Sequence, residues 1–216
     1  MPMTDFAHAT VITGQIDLHS DLTAGMITRV IWALGQTAVS LSLSHQVIPC
    51  QTRVPNRGWQ MFLPIEVEGL REALALQASA IAVAGPDLNL RLCVGNGDAE
   101  FTTEGDINSA RGSAFVSSGR LLDAKKSRRI DHADPFLSRG VFRDAEKICV
   151  QWNTTQAQVM QVVLDPKVNS IAAAAKILDW DEKTLRSELR LAQFDQIKDT
   201  IGLRDFDRED KQELMT

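Results

Sequence analysis

The chain has 216 residues, 44% hydrophobic and 24% charged, with a formal net charge of −5. That length holds one large domain or two small ones, and the apolar and charged fractions are those of an ordinary globular protein. The negative charge argues against a nucleic-acid grip across the whole surface, while leaving room for a local basic face.

The opening MPMTDFAHAT lacks the basic and apolar parts of a signal peptide. No stretch reaches the apolar run that a membrane span needs. The expectation is a cytoplasmic protein with no membrane partner. Residues 9–17 are rich in β-branched side chains and read as a central strand. Ser20 or Thr23 then caps a helix carrying Met26, Ile27, Val30, Ile31 and Leu34 at helical spacing, and the mixed run 37–43 leaves room for that helix to continue. Residues 46–54 and 59–65 read as a hairpin around Pro55-Asn56-Arg57-Gly58. An Ala-rich helix over 67–83 stops at Gly85-Pro86-Asp87. A fourth strand, 90–95, leads through Gly95-Asn96-Gly97-Asp98 into a polar loop, 96–106, and then a small-residue helix. The order β-α-β-β-α-β is that of the split βαβ sandwich.

Three cysteines, Cys50, Cys93 and Cys149, are scattered and odd in number, so neither a disulfide framework nor a metal site is expected. Cys93 and Cys149 read as small core hydrophobes. The four histidines have no mutual ligand spacing. The basic run Lys125-Lys126-Ser127-Arg128-Arg129 reads as a solvated helix end, and His132-Ala133-Asp134-Pro135 as a linker. Beyond it, Phe142, Ala145, Ile148, Cys149 and Trp152 share one helical stripe. Thr154 or Thr155 caps the next helix, which Asp165-Pro166 ends.

Three stretches, VITGQIDLHS (11–20), RGWQMFLP (57–64) and LRLCVGNGD to GRLLDA (90–124), resemble the class III nucleotidyl cyclase core, and more closely its SatD-like relatives. The resemblance covers roughly residues 8–131. It implies a ferredoxin-like α+β sandwich and a dimer with sites at the subunit interface. It also implies two Asp residues that hold paired divalent cations around a triphosphate. Gln15 stands where the first Asp would be, and Arg57 where the second would be. An amide oxygen is a weak ligand, and a guanidinium has only donors. Asp17, two residues on, shares the strand face of Gln15 and offers one carboxylate. The family's helix motif puts an Asn and an Arg four apart to hold ribose and phosphates. Here Arg120 survives, and Val116 replaces the Asn. Gln15, Asp17, Arg57 and Arg120 are therefore the candidate nucleotide- or phosphate-binding residues. No catalytic residue, metal ligand or cofactor is assigned.

The segment 172–190 resembles the helix-turn-helix of sigma factors and bacterial regulators. Ala175 is small where two helices cross, and Leu178, Trp180 and Leu185 form a small core. Asp179 replaces the turn glycine and tolerates the left-handed conformation. Asp181 caps the second helix. That helix offers Lys183, Thr184, Arg186, Ser187 and Arg190 as candidate DNA contacts, although Asp179, Asp181, Glu182 and Glu188 surround them. DNA contact and dimerisation or partner docking both stay open for this part. The leading reading is a homodimeric DNA-binding regulator. Residues 1–131 form its non-catalytic cyclase-like domain, for dimerisation or nucleotide sensing, and residues 136–216 form an all-α helix-turn-helix domain. One alternative is a divergent nucleotidyl cyclase using Asp17 with Asp98 or Asp106. Another is an interaction module that binds neither DNA nor nucleotide.

Overall fold

The computed structural model describes residues 4–17, 22–54, 58–101, 106–124, 128–203 and 206–207. The first half runs β1 (Thr4–Ile16), α1 (Ala24–Ser44), β2 (Cys50–Val54), β3 (Gly58–Leu63), α2 (Leu70–Ala84), β4 (Leu90–Phe101), β5 (Ala110–Arg111), α3 (Ser113–Asp123) and β6 (Ile130–His132). The strands β2-β3-β1-β4 lie side by side, each antiparallel to its neighbour. Helix α1 carries the chain from β1 to β2 across β3, and α2 carries it from β3 to β4 across β1. That is the split βαβ arrangement expected from the element order. Two short strands finish the far side of β4: β5 pairs with its end, and β6 runs parallel to its start.

Alternation along β1 separates two environments. Ile12 and Ile16 face α1 and α2 in the main core, whereas Ala9 and Val11 join Phe62, Phe101, Ile107 and Ala114 beneath α3. Thr23 caps α1, accepting from the Met26 amide, and the helix continues to Ser44. By length and composition alone α1 is apolar enough to cross a membrane, which the residue-by-residue reading did not foresee. Its buried residues, Ile27, Val30, Leu34, Ala38 and Leu41, form a stripe at helical spacing within the main core.

The rest is helical: α4 (Pro135–Leu137), an irregular turn over Ser138–Phe142, α5 (Arg143–Cys149), α6 (Thr154–Val163), α7 (Ile171–Leu178), α8 (Glu182–Leu191) and α9 (Phe194–Thr200). The predicted stripe of Phe142, Ala145, Ile148, Cys149 and Trp152 is buried throughout. The same apolar cluster extends from Ile12 and Leu74 through Trp152 and Met160 to Leu185. Burial pushes the Cys93 and Cys149 thiols up to about 12, so both stay protonated and inert.

Three expectations are corrected, two of them by strand pairing. The loop expected over 96–106 is strand as far as Phe101, because residues 4–10 extend β1 and pair with it. Gly95 lies within that strand. A β-carbon there would stand 2.6 Å from the Ala114 carbonyl oxygen and 2.7 Å from the Ser118 amide. The glycine, in the strand as expected, thus seats α3 on the sheet. His132, expected in a linker, is the last residue of β6 and only 3% exposed. The cap of α6 is Asn153, one residue before the expected threonines, in a capping box with Gln156.

Candidate functional site

The C-terminal end of β1 brings the first candidates together. Gln15 lies between Gly58 of β3 and Arg91 of β4. Its side chain falls on the α3 side of the sheet, in line with Thr13, whose hydroxyl meets that of Ser118 at 2.9 Å. Gln60 also donates to Thr13, at 3.2 Å. Arg91 binds the end of β1 to the end of α3. Its Nη2 donates to Gln15 Oε1 at 2.8 Å, and its Nη1 to the Leu122 carbonyl at 2.9 Å. A cation at a helix C-terminus is favoured by the carbonyls exposed there. Gln15 therefore meets a guanidinium through the oxygen that would otherwise be a weak metal ligand. Asp17 is held by Asn89, whose side-chain amide donates to Asp17 Oδ2 at 3.0 Å while its carbonyl accepts from the Asp17 amide at 2.9 Å.

Arg57 lies outside the described residues. Arg120 is not brought to Gln15. Helix α3 turns Ala114, Ser118 and Leu122 toward the sheet. Arg120 and Val116 stand on the opposite side, Arg120 exposed and Val116 48% exposed.

Asp98 and Asp106 do not assemble with Asp17. The hydroxyl and amide of Ser113 both donate to Asp98, at the entry to α3, and these bonds hold its carboxyl below the usual range. Asp106 accepts from the Asn108 amide at 3.0 Å, capping a single turn. Asp17 stands beside Asn89, at the start of β4, and Asp98 is eight residues along that strand from Leu90. The separation is roughly 26 Å at the usual rise per residue, whereas paired catalytic metals sit about 3.5–4 Å apart. Among the described residues no group of three or more His, Cys, Asp or Glu is placed to hold a metal.

A cavity of about 610 Å³ opens at the same end of the sheet, lined by Asp17, Asn89, Arg91, Arg128, Arg129 and Glu146. Of the basic run expected to be a solvated helix end, Arg128 and Arg129 lie among the described residues; they lead into β6 and line this cavity. Arg128 donates to the Ser138 carbonyl at 2.6 Å, and its Nε lies 3.6 Å from Glu146. The Arg129 amide donates to Glu146 at 2.7 Å, while its guanidinium makes one long bond, 3.4 Å, to the Pro86 carbonyl. Burial raises the Glu146 carboxyl, partly offset by the Arg129 amide and the Arg128 charge. The signal available in the sequence was β-branched Ile130 directly after the arginines.

In the second region α7 and α8 are joined by Asp179, at φ 55° and ψ 44°, and Asp181, whose carboxylate accepts from the Thr184 amide. Both features follow the sequence reading. Leu185 and Leu189 anchor α8, with Leu178 and Trp180 partly buried beside them. Lys183, Thr184, Arg186, Ser187 and Arg190 are all exposed. They differ in what they touch. The Thr184 hydroxyl donates to Asp181 at 2.6 Å. Arg186 pairs with Asp207 at 2.9 Å and Glu182 at 3.4 Å, which holds its guanidinium firmly charged. Lys183, Ser187 and Arg190 are spaced i, i+4, i+7 and share one outward stripe.

No protein-family model matches this chain, and no curated protein matches it. Among solved structures it is similar to the monomeric guanylyl cyclase domain of the RhoGC fusion protein from the aquatic fungus Blastocladiella emersonii. That match has 9% identity over 61% of this chain and 84% of the other, with a TM-score of 0.42. A guanylate cyclase domain of RhGC from Catenaria anguillulae, in complex with GTP, matches at 12% identity over 60% of this chain and 79% of the other, TM-score 0.41. The catalytic core of a rhodopsin-guanylyl cyclase with converted specificity, in complex with ATPalphaS, matches at 11% identity over the same shares, TM-score 0.42. Likeness of this degree carries no functional weight, so what the chain does must come from its own residues.

Proposed function

We propose that this chain is a DNA-binding regulator. Its residues 136–216 act as a helix-turn-helix, and its residues 1–131 serve as a non-catalytic, cyclase-like body for dimerisation or nucleotide sensing. The observation that carries the reading is the stripe of Lys183, Ser187 and Arg190, exposed on a helix whose other side is anchored by Leu185 and Leu189. Such a stripe is what a recognition helix offers to phosphates and base edges, and a homodimer would present two of them. The non-catalytic half of the reading is supported by the guanidinium of Arg91 on Gln15 and by the distance of Asp98 from Asp17.

Retention of the protein on duplex DNA over a salt series tests this. The wild type should be retained at low salt. Lys183→Ala and Arg190→Ala should each weaken retention and lower the salt slope by about one. Arg186→Ala is a poor reporter, since it also breaks the pairs with Asp207 and Glu182. Absence of retention at low salt would overturn the reading. A second reading, protein docking by the same helices, is favoured by Ile177 and Leu191, 61% and 60% exposed. It gains if DNA is not retained and Ile177→Asp abolishes self-association in sedimentation.

A further inference from the structure

The cavity at the end of β1 has the chemistry of a small-ligand site, and it lies on the β4 and β6 side of β1, away from the β2–β3 hairpin. We infer that it binds a phosphate-bearing small molecule of mononucleotide class, its phosphate on Arg128 and Arg129 and its hydroxyl or amino donors toward Asp17. This deepens the nucleotide-sensing part of the proposed function and does not depend on the DNA-binding part.

The cavity is an open cleft of about 610 Å³, more than a bare phosphate fills and of the size that small organic ligands occupy. Charge is arranged from one wall to the other. The carboxylate of Glu146 is engaged within its own wall, by the Arg129 amide at 2.7 Å and by Arg128. It therefore restrains the arginines more than it faces a ligand. Each guanidinium carries five N–H donors in a planar fork suited to phosphate oxygens. Among the described residues, the Arg128 guanidinium donates to the Ser138 carbonyl and pairs with Glu146, and that of Arg129 donates to the Pro86 carbonyl. Both therefore keep donors for an incoming oxyanion. Asp17 and Asn89 line the same cavity and share one hydrogen bond; a carboxylate accepts several hydrogen bonds and an amide nitrogen carries two donors, so the pair suits sugar hydroxyls or a base edge. An anion alone would leave that pair unused. No divalent cation is needed, because the guanidiniums supply the positive charge.

Calorimetric titration of the full-length chain at fixed ionic strength is the test, with a nucleoside monophosphate, ribose 5-phosphate, inorganic phosphate and an unphosphorylated nucleoside as probes. The expected order of affinity is the monophosphate first, then ribose 5-phosphate, then inorganic phosphate, with no binding of the nucleoside. Arg129→Gln should weaken the monophosphate about tenfold, the loss of one charge-assisted contact, while its melting temperature stays at the wild-type value. Arg129→Lys should recover part of the loss. Asp17→Asn should narrow the gap between the monophosphate and inorganic phosphate. Equal binding of all anions, or monophosphate binding unaffected by Arg129→Gln, would overturn the inference. DNA retention by Arg129→Gln without ligand should match the wild type, so failure here is distinguishable from failure of the DNA-binding proposal.

Discussion

Arg91 at the end of the sheet and Arg190 on α8 are the same side chain put to opposite uses. The first is half-buried, and its guanidinium joins an amide oxygen to a helix carbonyl, so it works as a strut. The second is exposed on a helix whose other face supplies the anchoring. The lesson is that burial, not residue type, separates a structural cation from a displayed one. The regions also differ in how they are built. The sheet end joins residues 76 and 31 positions apart in sequence, whereas the caps that start α7 and α8 are contacts three residues apart.

That contrast predicts that damage at the sheet end spreads, while damage at α7–α8 stays local. The largest effect should come from Gly95→Val. The new side chain meets backbone atoms of α3 that cannot step aside, so α3 lifts and the Thr13–Ser118 contact goes with it. A loss of about 2–3 kcal/mol is expected, read as a lower urea midpoint at unchanged slope. A loss under about 0.5 kcal/mol, the size of an ordinary surface substitution, would mean that α3 is not seated as described. Next comes Arg91→Met, which leaves Gln15 Oε1 and the Leu122 carbonyl without their charged donor. It should cost about 2 kcal/mol, and chemical-shift changes should reach both β1 and α3. If only β4 responds, Arg91 is not a strut.

Asp181→Ala should cost about 1 kcal/mol, the usual worth of an N-cap. Its faster hydrogen exchange should be confined to the first turn of α8, and spread into the sheet would erase the contrast. The smallest effect is one of pH. Burial holds His132 below its ordinary value, and its Nδ1 accepts the Asp134 amide at 2.9 Å, which only the neutral ring can do. As pH falls below about 6.5, the unfolded chain takes up a proton that the folded chain refuses. Stability should then fall until the folded-state pKa is passed and level off beneath it. His132→Gln should flatten that part of the urea-midpoint profile. An unchanged profile would place the acid sensitivity elsewhere.

Much of this molecule was legible in short windows. The β-α-β-β-α-β order, the Thr23 cap, the stripe from Phe142 to Trp152, the left-handed Asp179 and the Asp181 cap all depend on periodicity and dihedral preference over a few residues. The exposure of the α8 candidates also followed from helical spacing. What only the tertiary structure decided was set by residues far apart. Residues 4–10 turned an expected loop into the second half of β4. Gly95 became a seat for α3. His132 left a supposed linker to close the sheet as part of β6, and Arg128 and Arg129 came to line one cavity with Asp17. Local propensity cannot report such meetings, because strand pairing and burial are settled only when segments as distant as Thr13 and Ser118, 105 positions apart, compete for the same face of one sheet.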